Sequence, residues 1–153
     1  MKLINPSVEL ITQAPGLEGI YKQVERVGRV CYKSEDKITE DSAKPFVERM
    51  IKSGHNAMLE HGTIYLAAPY NNEDLLFWKV ANSPYSKGVC DDKSNLLCLT
   101  TNLRVIAELN AWEVIDKYLC EPAESHAKRI CLKFITSIGV SREFNRHKQL
   151  CVA

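Results

Sequence analysis

The chain has 153 residues, of which 45% are hydrophobic and 25% are charged, and its formal net charge is +1. These values are typical of a single globular domain and exclude an extensively disordered chain. The near-neutral charge argues against a general partner of DNA or RNA, which usually carries a basic surplus. No apolar run reaches the roughly 18 residues of a membrane span, and the first residues lack the apolar core of a signal peptide.

The six cysteines are irregularly spaced, and none forms a C-x-x-C pair. Because no export signal accompanies them, we expect reduced thiols in a cytoplasm rather than disulfides, and no structural zinc site. Isolated cysteines are usually buried and inert, so a cysteine nucleophile is not predicted. No G-x-G-x-x-G or G-x-x-x-x-G-K segment occurs, which excludes a Rossmann or P-loop nucleotide site.

The first half of the chain predicts two strands and two helices. Ile20, Val24 and Val27 recur at helical spacing, and Gly28 and Gly54 stand where helices often end. The predicted elements are a strand over Ser7–Thr12, a helix over Glu18–Arg29, a helix with Pro45 in its first turn that ends near Ser53, and a strand from Thr63 to Ala67.

The second half mixes strands and helices without strict alternation, which predicts an α+β fold with a mainly antiparallel sheet packed with helices. Its clearest pattern places Ile130, Leu132 and Phe134 on one face of a strand and Arg129, Cys131 and Lys133 on the other. The predicted elements are Leu75–Val80 as a strand or a helical turn, Asn82–Ser94 as an exposed loop, Leu96–Thr100 as a buried strand, a helix capped by Asn102, a short helix through Val114 and Leu119, a strand over His126–Thr136, and a last helix capped by Ser141.

The first cluster that could carry chemistry is Gly54-His55-Asn56-x-x-x-Glu60-His61, between a helix end and a strand start. Two histidines and a carboxylate can move protons or bind a metal. The spacing of the histidines fits neither a zincin helix nor a zinc finger, so no metal is predicted. The alternative is structural: His55 caps the end of the preceding helix, and Glu60 and His61 are surface groups.

The second cluster is Ser141-Arg142-Glu143-Phe144-Asn145-Arg146-His147-Lys148. On a helix, Glu143, Arg146 and His147 share one face. An arginine fork beside a histidine suits a phosphate or an electron-rich ring edge. The alternative is a solvated helix end with an intrahelical Glu–Arg pair.

Together these clusters resemble the flavin-dependent thymidylate synthase family, and the similarity covers nearly all of the chain. The resemblance depends on the order of the fragments more than on any single one. The fragments are Arg29-Val30-Cys31, Gly54 to His61, Thr100-Thr101-Asn102-Leu103-Arg104-Val105, Leu119-Cys120-Glu121-Pro122, Lys133-Phe134-Ile135, Gly139-Val140-Ser141-Arg142-Glu143 and Arg146-His147-Lys148, several of which look like the longer bacterial and phage branch.

The resemblance implies a thymidylate synthase-complementing-protein-like fold and a homotetramer with FAD between subunits. NADPH reduces the flavin, and methylenetetrahydrofolate supplies the one-carbon unit that converts dUMP to dTMP, without a cysteine nucleophile. The resemblance assigns catalytic roles to His55, Arg146 and His147; FAD contacts to Cys31, His55, Ala57, Glu60, Arg146, His147 and Lys148; and nucleotide contacts to Glu143 and Arg146.

This sequence departs from the family pattern at several positions. Lys148 stands in place of the third signature arginine, Cys31 replaces a small polar residue, and Ala57 stands where some relatives have threonine. The family continues past the signature with a Glu-Ser-x-Arg-Tyr-like segment and a C-terminal part, whereas this chain ends at Ala153. We therefore expect residues 1–153 to form a single, partial domain of this family.

Two alternatives to catalysis follow. The chain could be a truncated, non-catalytic member that binds FAD or nucleotide weakly or only oligomerises. It could instead be a plain interaction domain whose Arg-His helix end contacts a protein or an RNA, although the neutral charge disfavours RNA.

Overall fold

The computed structural model describes residues 5–144 and 146. In this part of the chain the main elements are five β-strands and six α-helices, joined by short 3₁₀ helices at Glu35–Lys37 and Asn56–His61. In chain order they are β1 Ser7–Ile11, α1 Gly16–Cys31, α2 Ala43–Lys52, β2 Thr63–Pro69, α3 Leu75–Ala81, β3 Lys87–Asp91, β4 Leu96–Asn102, α4 Leu103–Glu108, α5 Trp112–Tyr118, β5 Cys131–Ile135 and α6 Ile138–Phe144.

The strands form two separate antiparallel sheets, with orders β2-β4-β3 and β1-β5. Alternate residues of β2 are buried, whereas β4 is buried along almost its whole length because it is the central strand. The antiparallel pairing and the irregular succession of helices and strands confirm the predicted α+β class. The strands are divided between two small sheets rather than gathered in one.

One hydrophobic core joins α1 and α2 to the three-stranded sheet and to α3, α4 and α5. Its fully buried side chains include Val24, Phe46, Leu66, Phe77 and Ile106. Burying a side chain of this size contributes about 1.5–3 kcal/mol relative to leaving it in water.

Short side chains and glycine set the helix boundaries. The Asp74 carboxylate accepts hydrogen bonds from the backbone of Leu76 and Phe77, which makes residues 75–81 a helix and decides between the two predicted alternatives. The predicted cap at Asn102 is confirmed, since its side-chain oxygen accepts from the Val105 amide at 3.2 Å. Gly54 ends α2 with φ +72°, as predicted.

The predicted loop over Asn82–Ser94 is wrong in part, because it contains β3. Gly88 and the preceding Pro84 resemble loop sequence, but Lys87–Asp91 pairs with β4 along five consecutive residues. The turn formers between Asp91 and Leu96 connect the two strands of a hairpin, and Asn95 takes a positive φ of 56° there.

The predicted strand over His126–Thr136 is shorter than expected and begins at Cys131. The imidazole of His126 is buried, accepts a hydrogen bond from the Ala123 amide and bonds the Leu66 carbonyl, and these contacts hold the residues before β5 out of the ladder. Within β5 the predicted alternation holds, because Leu132 and Phe134 lie opposite Leu10 and Val8.

Ser141 is not the N-cap of the last helix, because α6 begins at Ile138. The hydroxyl of Ser137 accepts from the Val140 amide at 3.5 Å and takes the capping role one turn earlier. Ser141 lies inside the helix, where its hydroxyl donates to the Ile138 carbonyl.

No helix in the described part of the chain is both long and apolar enough to cross a bilayer.

Candidate functional site

The packing of α1 against α2 brings together Tyr32, which follows α1, and His55, which follows α2. The Tyr32 hydroxyl lies 2.9 Å from His55 Nδ1. The two rings are nearly parallel, with centroids 6.3 Å apart and planes 17° apart. With the phenol as donor to Nδ1, the proton of the neutral imidazole lies on Nε2, which faces away from this bond.

The position of His55 is fixed by the end of α2. The His55 amide donates to the Met50 carbonyl at 3.0 Å and the Gly54 amide donates to the Ile51 carbonyl at 3.1 Å. This pair of bonds around a left-handed glycine is a Schellman motif. His55 therefore caps the end of α2, as the structural alternative expects, through its backbone amide, and the imidazole is available to Tyr32.

An open cavity of about 310 Å³ lies beside these two rings, between Tyr32 and the segment from Gly54 to Met58. Its wall includes Asn56, whose side-chain amide donates to Glu108 at 3.5 Å. The opposite end of this amide, Oδ1, is buried and has no hydrogen-bond partner among the described residues.

Two predicted cofactor residues border this region. Ala57 lines the cavity, and its methyl group offers a small apolar surface without a hydrogen-bonding group. Cys31 is exposed at the end of α1, next to Tyr32 in the chain. The structure thus brings His55 and Ala57 to one cavity, and Cys31 to its neighbourhood.

A buried ion pair supports the Tyr32 end of α1. The guanidinium of Arg29 contacts Glu25 through two nitrogens at 3.1 and 2.9 Å and lies 4.8 Å from the centre of the Phe46 ring. The Ser42 hydroxyl donates to the other oxygen of Glu25 at 2.9 Å. Because both charges are paired and bonded, they can remain buried between the helices and hold α1 against α2.

Glu60 lies on the same 3₁₀ helix as Asn56 and is not a free surface group. Its carboxylate pairs with Arg104, which also bonds Glu108 at 2.7 Å. These two carboxylates raise the pKa of Arg104 further above its usual range. The Arg129 guanidinium donates to the Glu60 backbone carbonyl at 3.0 Å. Glu60 is therefore a partly exposed group held by Arg104, a contact that its interpretation as a surface group did not include.

His61 is half-buried next to this arginine cluster. Burial and then the positive charge of Arg129 lower the pKa of His61 below its ordinary value of 6.5, partly offset by Glu60. Its Nε2 atom is buried and lacks a partner within the described residues. The interpretation of His61 as a surface group is wrong because its imidazole is half-buried.

Glu143 and Arg146 lie at the far end of the chain, on and just after α6. They form the predicted i, i+3 ion pair at 3.0 Å, with 64% and 75% of the two side chains exposed. An exposed pair contributes little to stability, about 0–1 kcal/mol. His147 and Lys148 lie outside the described residues, so their predicted roles remain predictions.

Three residues of the site were not assigned roles by the sequence: Tyr32, Asn56 and Arg104. Asn56 and Arg104 are both in fragments that carry the family resemblance, which was the available signal. No sequence pattern indicated a role for Tyr32, because its contact with His55 depends on how α1 packs against α2.

Burial disfavours the thiolate form of three of the five described cysteines. All five described cysteines are free thiols. Burial raises the pKa of Cys120 to about 11, and burial also raises the pKa of Cys98 and Cys131. Across the described residues, no group of three or more His, Cys, Asp or Glu side chains is placed to hold a metal ion.

No protein-family model matches the chain, and no curated protein or solved structure matches it.

Proposed function

We propose that this chain is a subunit of a cytoplasmic flavin-dependent thymidylate synthase and that the cavity beside Tyr32 and His55 receives part of FAD. The observation that carries the proposal is the juxtaposition of the Tyr32–His55 ring pair with one open cavity, whose wall also includes Asn56 and Ala57. The resemblance to the family, with a thymidylate synthase-complementing-protein-like fold, supplies the identity of the ligand.

The residues of the cavity fit a flat, nitrogen-rich ring. Such a ring carries carbonyl oxygens that can accept a hydrogen bond from His55 Nε2. The exposed face of Tyr32, 46% accessible, offers a surface for stacking. Ala57 keeps the cavity wall narrow and apolar.

The size of the cavity limits what one copy can hold. About 310 Å³ is at the lower end of ligand sites, which span about 300–1,000 Å³. It admits a ring system but not a whole dinucleotide. The rest of the cofactor would then lie on a neighbouring subunit, which agrees with a homotetramer that binds FAD between its copies.

The flavin, when bound, supplies hydride transfer from NADPH toward the one-carbon unit of methylenetetrahydrofolate. The protein contributes orientation and charge. Tyr32 fixes the ring of His55, and the Arg104–Glu60 pair holds the 3₁₀ helix that carries Asn56 and Ala57. Arg146, steered by Glu143, offers a fork for the phosphate or a carbonyl of dUMP.

The test is FAD binding by the purified protein, followed by visible absorbance and quenching of flavin fluorescence, and then dTMP formation from dUMP with NADPH and methylenetetrahydrofolate. We expect His55→Ala to weaken FAD binding at least about tenfold. The substitution removes both one well-placed or charge-assisted hydrogen bond and the contact with the imidazole ring. Lys79→Ala, on the exposed face of α3, is the matched control and should bind FAD normally. Protein that takes up no FAD would falsify the proposal.

The exposure of the Glu143–Arg146 pair favours a second candidate, a family member that binds FAD or nucleotide without turnover. Both side chains are mostly in water, and one guanidinium nitrogen of Arg146 is paired with the carboxylate of Glu143. FAD uptake with no dTMP formation, in the presence of all three substrates, would select this candidate over the enzyme.

A further inference from the structure

Cys131 begins β5 and lies opposite Ile11, the last residue of β1. Helix α1 follows β1 in the chain and runs back along it, because Arg26 pairs with Glu9 at 3.2 Å. Gln23 lies about one turn of α1 before Arg26 and is therefore near the end of β1, where Ile11 and Cys131 meet. The Cys131 thiol is partly exposed at this point.

Three side chains that carry N–H donors lie around the Cys131 sulfur. The amide of Gln23 and the positive charges of Arg26 and Arg129 favour the thiolate and oppose burial, which raises the pKa of Cys131. Arg129 is held in place by its bond to the Glu60 carbonyl at 3.0 Å. The sulfur is thus surrounded by groups that stabilise negative charge and oxygen acceptors.

The other thiols whose pKa is raised by burial have a different environment. At Cys98 and Cys120, neighbouring negative groups add to burial in raising the pKa. At Cys131 the neighbouring side chains act in the opposite direction. Cys131 is therefore the thiol of these three whose surroundings suit a product that bears oxygen.

The amide of Gln23 has a donor that is not used within the described residues. The Gln23 side chain is buried, with 4% of the residue exposed, and its Nε2 atom is buried without a hydrogen-bond partner in this part of the chain. This amide influences the Cys131 sulfur without forming a full hydrogen bond to it. An oxygen atom added to the sulfur would supply the acceptor that the amide lacks.

We propose that Cys131 is a site of reversible oxidation by hydrogen peroxide and that the Gln23 amide holds the resulting sulfenic acid. The thiolate sulfur attacks one peroxide oxygen, so that an S–O bond forms as the O–O bond breaks. The departing hydroxide takes up the proton released by the thiol and leaves as water. Sulfur is oxidised by two electrons, and the peroxide is reduced by two.

The new oxygen accepts a hydrogen bond from Gln23 Nε2, and Arg26 and Arg129 stabilise it when it is ionised. Burial makes the first step slow, because it disfavours the thiolate, whereas the donors prolong the life of the product. This inference does not depend on the proposed flavin site.

The experiment exposes the whole protein to hydrogen peroxide, removes the peroxide with catalase, and adds dimedone, which labels sulfenic acids, after increasing delays. Cleavage after glutamate releases residues 125–143, in which Cys131 is the only cysteine, for mass spectrometry. We expect the Cys131 sulfenic acid to last at least about twofold longer than those of the more exposed Cys31 and Cys90, because a hydrogen bond holds its oxygen.

Gln23→Met removes the donor at nearly constant volume. It should shorten the lifetime of the Cys131 sulfenic acid about 2–12-fold, the effect of losing a typical hydrogen bond. Lys22→Met is the matched control, since it is the next residue of α1 and its side chain is 49% exposed, so the lifetime should be that of the wild type. The comparison among the cysteines of the wild type needs no variant and tests the proposal even where Gln23→Met does not fold.

Three results would overturn the inference: dimedone that labels Cys31 and Cys90 but not Cys131; a Cys131 sulfenic acid that decays as fast as theirs; or an unchanged lifetime in a folded Gln23→Met variant. Because the readout is the mass of one peptide, a failure here is distinguishable from a failure to bind FAD.

Discussion

The contact between Tyr32 and His55 is a single hydrogen bond with two consequences. With the phenol as donor, it places the proton of the neutral imidazole on Nε2, and it holds the ring beside the cavity. Tyr32 is 46% exposed, so its hydroxyl contributes to the site more than to the stability of the fold.

We expect Tyr32→Phe to leave the melting temperature nearly unchanged but to weaken FAD binding about 2–12-fold, the effect of losing a typical hydrogen bond. The nitrogen chemical shifts of His55 should also move, because its preferred tautomer is released. Tyr85→Phe is the control, since the ring of Tyr85 lies under Arg104 while its hydroxyl has no hydrogen bond among the described residues. An equal effect of both variants on binding would contradict the role of the Tyr32 hydroxyl.

His61 gives the molecule a pH dependence of predictable sign. Its pKa is lowered in the folded state by burial and by Arg129, so the unfolded chain binds a proton near pH 6.5 that the folded chain does not. The free energy of unfolding therefore decreases as the pH falls below about 6.5, down to the lowered folded pKa.

We expect His61→Gln to reduce the loss of stability between roughly pH 7 and pH 5, because the glutamine cannot take up the proton. Urea denaturation at several pH values measures the slope. Asn71→Gln, at an exposed residue without a titratable group, should keep the slope of the wild type. A slope in His61→Gln equal to that of the wild type would assign the pH dependence to other groups.

Sequence patterns located the residues of the cavity segment but not their environment. Helix-end and strand-start signals placed His55, Asn56 and Glu60 correctly between α2 and β2. The ion pair of Glu60 could not be predicted, since its partner Arg104 lies 44 residues further along the chain. The Tyr32–His55 bond likewise depends on how two helices pack, which periodicity does not specify.

At the scale of elements, the contact between α1 and α2 depends on a glycine. A Cβ atom at Gly28 would lie 2.7 Å from Cζ of Phe46, which is closer than carbon atoms approach. The sequence predicted Gly28 as a helix-end residue, but α1 continues through it to Cys31. Close packing of α1 against the Phe46 ring, rather than the end of the helix, therefore explains why residue 28 is a glycine.

We expect Gly28→Ala to destabilise the protein by about 1–3 kcal/mol, because overpacking displaces the Phe46 ring by more than alanine gains in helix propensity. Gly139→Ala in α6 is the control. Its added Cβ meets nothing closer than 3.9 Å, so it should be neutral or slightly stabilising. Chemical denaturation gives both values.

A double variant locates the clash. In a Phe46→Leu background the larger ring is gone, so adding Gly28→Ala should cost less than it does in the wild type. Equal costs in the two backgrounds would place the strain elsewhere.

The element boundaries that failed did so for tertiary reasons. The strand predicted from His126 shortens because the imidazole of His126 is bonded to Leu66 in β2, 60 residues earlier. The hairpin strand β3 was hidden among turn formers, and only its pairing with β4 makes it a strand. The capping signals at Asn102 and Gly54 were correct, because their bonds act within one turn of the chain, whereas the signals at Gly28 and Ser141 lie inside helices.

At the scale of the whole molecule, two small sheets must be held in a fixed relation. Gln13, just after β1, forms two hydrogen bonds with the backbone of Thr63 at the start of β2: its amide donates to the carbonyl at 2.8 Å and its carbonyl accepts from the amide at 2.9 Å. Arg129, just before β5, adds its bond to the Glu60 carbonyl. These contacts link the β1–β5 sheet, and with it α6, to the segment that carries His55.

The two hydrogen bonds of Gln13 predict how strongly a substitution at this residue uncouples the β1–β5 sheet from the start of β2. Gln13→Leu leaves the amide and carbonyl of Thr63 without their partner, and each unsatisfied group costs about 1–3 kcal/mol to the extent that it stays away from water. Gln13→Glu keeps an acceptor for the Thr63 amide but loses the donor, so it should be intermediate. Hydrogen exchange at Thr63 should accelerate strongly in Gln13→Leu and less in Gln13→Glu, while amides in β4 keep the protection of the wild type. Uniform acceleration across both sheets would mean that the molecule opens as one unit, and unchanged exchange at Thr63 would mean that Gln13 does not join them.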